Sequence, residues 1–306
     1  MWVGTLVLWN PATKEYKQLY PFAVFPFSSI LLSHKWNDKW SYEARHPYNL
    51  RIGFGFDHNA HDFKVIIVCQ WGRVYGGDDD RWHSRVYSLY TDSWRTLCNY
   101  YSTINVMEPI KDIFPPFPNI DSEPEFAHCH LNGVFHWSCE WAGDDDQSCH
   151  GILAFNMSDD SFQLFSEPPL DAIDEHEYFW CRSVWVLKNT LAMVASIVQH
   201  NRGNATGNIQ LWIMREYGAN DSWAMLSSLG PTPGLSPISI PNNDKIFCRD
   251  ESEQLVSFDL DDHTYKQYGI CGARERRFHP IDESLGVLRY VETLVPLNVM
   301  YQQDQN

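Results

Sequence analysis

The chain has 306 residues, 44% of them hydrophobic and 15% aromatic, enough for one closed domain with a large core and a composition suited to strands. Its 39 Asp and Glu against 23 Lys and Arg leave a net charge of −16, which excludes a general nucleic-acid binder and makes a basic protein the natural complement. The longest apolar run free of proline and charge, Leu191–Val198, is too short to span a bilayer, and the opening MWVGTLVLWNPATKEY has no basic n-region or cleavage site.

In chain order, five segments share one pattern: a short apolar strand reaches an aromatic, a polar turn follows, and a second aromatic opens the returning strand. They are Leu8–Leu19, Val86–Leu97, Ala154–Phe165, Leu211–Leu226 and Ser257–Tyr268. The aromatic pairs are Trp9/Tyr16, Tyr87/Trp94, Phe155/Phe162, Trp212/Trp223 and Phe258/Tyr265, and all are expected to pack between neighbouring sheets. Only the fourth has extra residues between its aromatics, and they fall in the turn, where insertion costs little.

Four hairpins of another kind alternate with these: Gly53–Val68, Phe126–Cys139, Arg182–Val198 and Ile238–Cys248. Asn132-Gly133 is the clearest two-residue turn among them, and it predicts that Leu131 faces Val134, His130 faces Phe135, Cys129 faces His136 and His128 faces Trp137. Pairing each such hairpin with the aromatic one after it predicts four complete four-stranded blades, at about 53–97, 126–165, 182–226 and 238–268.

The fold class is thus all-β, a kelch-like β-propeller of five or six blades over residues 1–298, with a polar tail at 299–306. The first blade, Leu6–Leu19, is incomplete and lacks an inner hairpin, and a C-terminal strand, Val287–Leu297, is expected to close the ring against it. Seven long loops should then crowd one face, at 20–50, 71–85, 98–127, 140–150, 166–180, 199–206 and 227–236. These loops hold 19 acidic and 8 basic residues, a net −11.

The acidic runs Asp78, Asp79, Asp80 and Asp144, Asp145, Asp146, with Asp171, Asp174, Glu175 and Glu177, form the candidate partner-binding surface on that face. Trp141, Tyr178 and Phe179 would add desolvated aromatic contacts beside them. Catalytic and metal signatures are missing: Gly53-Phe-Gly55 has no third glycine, and Trp180 stands where a zincin's second histidine would be. Strand alternation places His128 and His130 on one side of their sheet and Cys129 and His136 on the other, so the four cannot converge on one ion. No enzyme activity, cofactor or metal is expected.

The strings LWNPATKEYKQL, GFGFD…DFKVI, VYSLYTDSWRTL, LNGVFHW, ILAFNMSDDSFQLF, QLVSFDL and RYVETLVPLN resemble the F-box-associated domain of plant F-box proteins, most closely the S-locus F-box and F-box-like group. The resemblance implies the substrate-recognition part of a cullin-based ubiquitin ligase, with no nucleic acid or membrane among its partners. The target in the S-locus proteins is a basic S-ribonuclease, met in pollen during self-incompatibility. Contact with the ligase adaptor and cullin would run only through an F-box that these residues do not contain. The alternatives are a truncated or degenerate family member without ligase function, and a kelch-type propeller for another ligand. Eight cysteines without CxxC spacing suit the reducing cytoplasm or nucleus.

Overall fold

A computed structural model describes residues 6–20, 33–36, 39–42, 47–71, 81–99, 129–142, 148–170, 177–201, 204–233, 235–240, 244–250, 252, 254–262, 264–271 and 297. The described residues form an all-β fold whose four four-stranded antiparallel meanders are the blades of a β-propeller. The chain divides into two compact units, 1–107 with 290–306, and 108–289. No helix among the described residues is long and apolar enough to cross a membrane.

In the first unit, β1 (Leu6–Asn10) and β2 (Glu15–Leu19) form a two-stranded sheet in which Trp9 faces Tyr16. A second small hairpin, β3 (Ser33–Trp36) with β4 (Lys39–Tyr42), occupies a stretch expected to be loop. The first full blade is β5 (Pro47–Asp57), β6 (Asp62–Trp71), β7 (Arg81–Ser88) and β8 (Ser93–Asn99).

The second unit holds three blades. The first is β9 (Cys129–Leu131), β10 (Val134–Ala142), β11 (Ser148–Asn156) and β12 (Ser161–Ser166). The next is β13 (Glu177–Leu187), β14 (Thr190–Asn201), β15 (Asn204–Met214) and β16 (Trp223–Pro233). The last is β17 (Ser236–Ser239), β18 (Lys245–Arg249), β19 (Gln254–Asp259) and β20 (Tyr265–Cys271).

The Asn132-Gly133 turn has positive φ at both residues, 52° and 81°, the geometry whose twist suits a two-residue hairpin. It sets the expected register, with Leu131 opposite Val134, His130 opposite Phe135 and Cys129 opposite His136. His128 lies outside the described residues. Tyr87/Trp94, Phe155/Phe162 and Phe258/Tyr265 are also cross-strand partners.

The fourth copy packs between blades as expected but pairs differently from the others. Beside the turn Met214 faces Trp223 and Trp212 faces Met225, so the two tryptophans are not cross-strand partners, and a bulge between Leu211 and Trp212, farther from the turn, leaves Leu226 unpaired. The longer turn sets this two-residue offset, and both tryptophans are nonetheless buried against the neighbouring blade.

One packing rule accounts for the aromatic pairs. In three of the aromatic hairpins, three side chains on the opposite face pack against the aromatics of a neighbouring sheet: Leu6, Leu8 and Leu19 lie against Tyr87 and Trp94. Ile152, Ala154 and Phe165 do the same for Trp212 and Trp223. Ile209, Leu211 and Leu229 do it for Phe258. A fully buried Leu, Ile or Phe among them contributes about 1.5–3 kcal/mol.

Trp9 and Tyr16 break the expectation that every pair is packing, since they are 67% and 64% exposed. They share with Val7 the face of the β1–β2 hairpin turned away from the core.

Two expected long loops are short connections. β14 and β15 meet at Asn201 opposite Asn204, and β16 runs to Pro233, close to the start of β17 at Ser236. The pairing runs on through polar residues, 199–201 against 204–206, which their composition did not mark as strand.

Candidate recognition surface

Trp141 lies in β10 opposite Cys149, and Glu177, Tyr178 and Phe179 open β13 opposite Gln199, Val198 and Ile197. In their own sheets all four sit at the strand ends away from the Asn132-Gly133 and Lys188-Asn189 turns. Asp78, Asp79, Asp80, Asp144, Asp145, Asp146, Asp171, Asp174 and Glu175 lie outside the described residues. The connections that hold them join β6 to β7, β10 to β11, and β12 to β13.

At the opposite strand ends, the carboxylates and amides are engaged by the protein itself. In four of the five aromatic hairpins the residue after the first aromatic closes the turn. Asn10 Oδ1 accepts from the Ala12 N–H at 3.0 Å, Asn156 Oδ1 from Ser158 at 2.9 Å, Asp259 Oδ1 from Asp261 at 3.0 Å, and Ser88 Oγ from Thr91 at 3.1 Å. These are Asx and Ser turns, in which a short polar side chain replaces a backbone acceptor. Sequence reasoning missed this role, although an Asn, Ser or Asp directly after the aromatic was its signal.

Other turn carboxylates tie elements together. Asp92 Oδ1 accepts from the Tyr87 hydroxyl at 2.6 Å and lies 2.8 Å from Lys17 Nζ, joining the β1–β2 hairpin to the β5–β8 blade. The Lys17 ammonium, and then the Tyr87 hydroxyl, hold the Asp92 carboxyl below the usual range, while burial raises Tyr87. Asp57 pairs with Lys64 at 2.7 Å, both largely buried, and also accepts from the N–H groups of Asn59 and Ala60. Asp62 takes the Ser88 hydroxyl at 2.5 Å and the Tyr90 N–H at 2.8 Å. Glu15 Oε2 accepts from the Leu297 N–H at 2.9 Å, while residues 287–296 lie outside the described residues.

The 215–222 turn between β15 and β16 reaches the neighbouring blade. The Tyr217 hydroxyl lies 2.9 Å from His136 Nε2, and His136 Nδ1 lies 3.3 Å from the Cys129 carbonyl. A carbonyl only accepts, so Nδ1 carries the proton and Nε2 accepts from Tyr217. Burial pushes His136 down to about 4 and Tyr217 up to about 12. The Asn220 amide oxygen takes the Ser166 N–H at 3.0 Å, and Trp223 Nε1 donates to the Ser166 carbonyl at 3.0 Å. No group of three or more His, Cys, Asp or Glu among the described residues could hold a metal ion. His136 is a packed, hydrogen-bonded ring between two blades.

A family model described as the F-box associated beta propeller domain matches residues 3–297, and the chain belongs to that family. An F-box/kelch-repeat protein of Arabidopsis thaliana is 23% identical over 251 residues, covering 80% of this chain and 56% of the relative. The chain therefore spans little more than half the length of that relative. Among solved structures, sucrose-6-phosphate hydrolase from Lactobacillus gasseri matches at 13% identity over 72% of this chain and 43% of its own, with a TM-score of 0.34. A fructofuranosidase from Schwanniomyces occidentalis complexed with fructosylnystose matches at 15% identity over 74% and 47%, with a TM-score of 0.34.

Proposed function

We propose that this F-box-associated propeller is the substrate-recognition part of an F-box subunit of a cullin-based ubiquitin ligase, and that its target is a basic protein. The family match carries the first half of this reading. The net charge of −16, with acidic runs in loops that hold no Lys or Arg around 144–146 and 171–177, supports the second. Within the S-locus F-box and F-box-like group the target is an S-ribonuclease, and recognition serves pollen self-incompatibility in the cytoplasm. The adaptor and cullin are held through an F-box outside these residues.

Binding of a basic S-ribonuclease, followed by biolayer interferometry at low and physiological salt, tests this. Replacing Asp144, Asp145 and Asp146 by Asn should weaken binding and flatten its salt dependence, mainly through the association rate. A charge-matched set on the turns, Glu216→Gln, Asp221→Asn and Asp261→Asn, should leave it unchanged. Equal loss in both sets would reduce the effect to net charge and remove the loop surface from the reading.

A further inference from the structure

The β1–β2 hairpin is held from one side and exposed on the other. Leu6, Leu8 and Leu19 keep one face against Tyr87 and Trp94, the Lys17–Asp92 pair ties it down at 2.8 Å, and Glu15 accepts from the Leu297 N–H. The opposite face carries Val7, Trp9, Tyr16, Gln18 and Tyr20, all exposed and none charged. Trp9 stands directly across from Tyr16, and Val7 across from Gln18.

Four aromatic pairs share this cross-strand register, and three of them are closed. Ring centroids lie 5.4 Å apart in Tyr87/Trp94, 4.8 Å in Phe155/Phe162 and 5.5 Å in Phe258/Tyr265. Among the described residues, the rings of Trp9 and Tyr16 make no contact with each other and no hydrogen bond. Touching rings have centroids within about 7 Å. An aliphatic ring held between two aromatic faces needs about 7–8 Å, twice a carbon contact. Trp9 and Tyr16 thus flank an open slot in a face that is fixed from behind.

The polar groups of this face are donors. The Trp9 indole N–H can only donate, and Tyr16 brings a hydroxyl. Gln18 Oε1 takes the Tyr20 hydroxyl at 2.7 Å, which leaves its NH2 as the group it offers. A sugar presents hydroxyls that call for acceptors as well as donors, and this face has no carboxylate. A polyproline II segment matches it better. Proline rings are flat enough for the slot, proline has a carbonyl but no N–H, and the extended backbone leaves those carbonyls open to donors. Both surfaces are set before they meet, so little order is lost on binding.

We infer that the Trp9/Tyr16 slot, with Gln18 beside it, is a docking place for a proline-rich segment of a partner protein in polyproline II conformation. The slot uses none of the acidic loop residues. It goes beyond the recognition proposed above, and its failure leaves that reading untouched.

Fluorescein-labelled decaproline, titrated with the full 306-residue chain and followed by fluorescence anisotropy, should bind, whereas a labelled Gly-Ser repeat of equal length should not. Trp9→Ala should weaken binding about tenfold or more. Trp9→Phe and Tyr16→Phe, which keep a ring but remove a donor, should weaken it by smaller factors. Tyr90→Ala, at an exposed aromatic elsewhere in the same unit, should have no effect. Circular dichroism melts check that each variant folds. The inference is overturned if decaproline does not bind, if Trp9→Ala binds it as well as the parent, or if Tyr90→Ala weakens it equally. It is overturned too if cellohexaose displaces decaproline at comparable concentration, since the face would then be a sugar-stacking one.

Discussion

His136 should make the second unit acid-labile well above the pH at which carboxylates titrate. The ring is fully buried, and burial lowers its folded-state pKa from 6.5 to about 4. Because the unfolded chain binds the proton more readily, stability is complete above the unfolded value and falls as pH drops from 6.5 toward 4. His130 is the charged neighbour that adds to the effect, and the Cys129 carbonyl opposes it. A separation of that size corresponds to about 3 kcal/mol in the acid limit, and to about 2 kcal/mol between pH 8 and pH 5. Urea unfolding at pH 8, 7, 6 and 5 should show this loss in the parent, with His136→Gln losing about 2 kcal/mol less over the same interval. The other histidines titrate in both proteins, so the difference isolates this one. Parallel pH profiles would mean that His136 is solvated, and the assignment of Nε2 as acceptor from Tyr217 would fall with it.

Tyr217→Phe leaves the buried Nε2 without its donor and should cost about 1–3 kcal/mol at neutral pH, measured by the same unfolding experiment. Lys64→Met strands the buried Asp57 carboxylate and should cost about 3–5 kcal/mol, whereas replacing both partners by apolar residues should cost less, because no unpaired charge remains. Asp92→Asn should remove up to about 1 kcal/mol, because the carboxylate is largely exposed and solvent screens its pairing with Lys17. Since Lys17 holds the folded Asp92 pKa down, the parent's share of that stability should vanish as pH falls through the carboxylate range. Thiol labelling mapped by mass spectrometry should find exposed Cys271 reactive in the native protein and Cys129 and Cys248 reactive only on unfolding, because burial raises both thiols above their ordinary value.

Much of the blade architecture was legible because turn chemistry and cross-strand spacing act locally. Asn132-Gly133 specified a register residue by residue, and the repeated aromatic pattern marked the Tyr87/Trp94 hairpin that the structure shows. The fourth hairpin packs its tryptophans as expected, but its bulge, which leaves exposed Leu226 unpaired, leaves no mark on spacing. Trp9 and Tyr16 looked like interior residues because their pattern matches the buried copies, and exposure depends on what lies opposite, which no local pattern records. The loop surface was legible only as charge and position: Trp141 and Glu177–Phe179 fall at the expected strand ends, but their carboxylate neighbours lie outside the described residues. The turn-closing Asn10, Ser88, Asn156 and Asp259 went unread because they looked like ordinary polar turn residues.

The eight residues of the 215–222 turn convert two sheets into one mechanical element. Opening β9–β12 alone would break the Tyr217 bond to His136 and both Ser166 bonds, and would expose Phe165 where it meets the Tyr217 ring edge at 5.5 Å. Fraying of the first blade of this unit is thereby linked to loss of the second, and their slowest-exchanging amides should open in a single subglobal event. A stretch that reads as tolerated slack in one repeat thus sets the size of the cooperative unit.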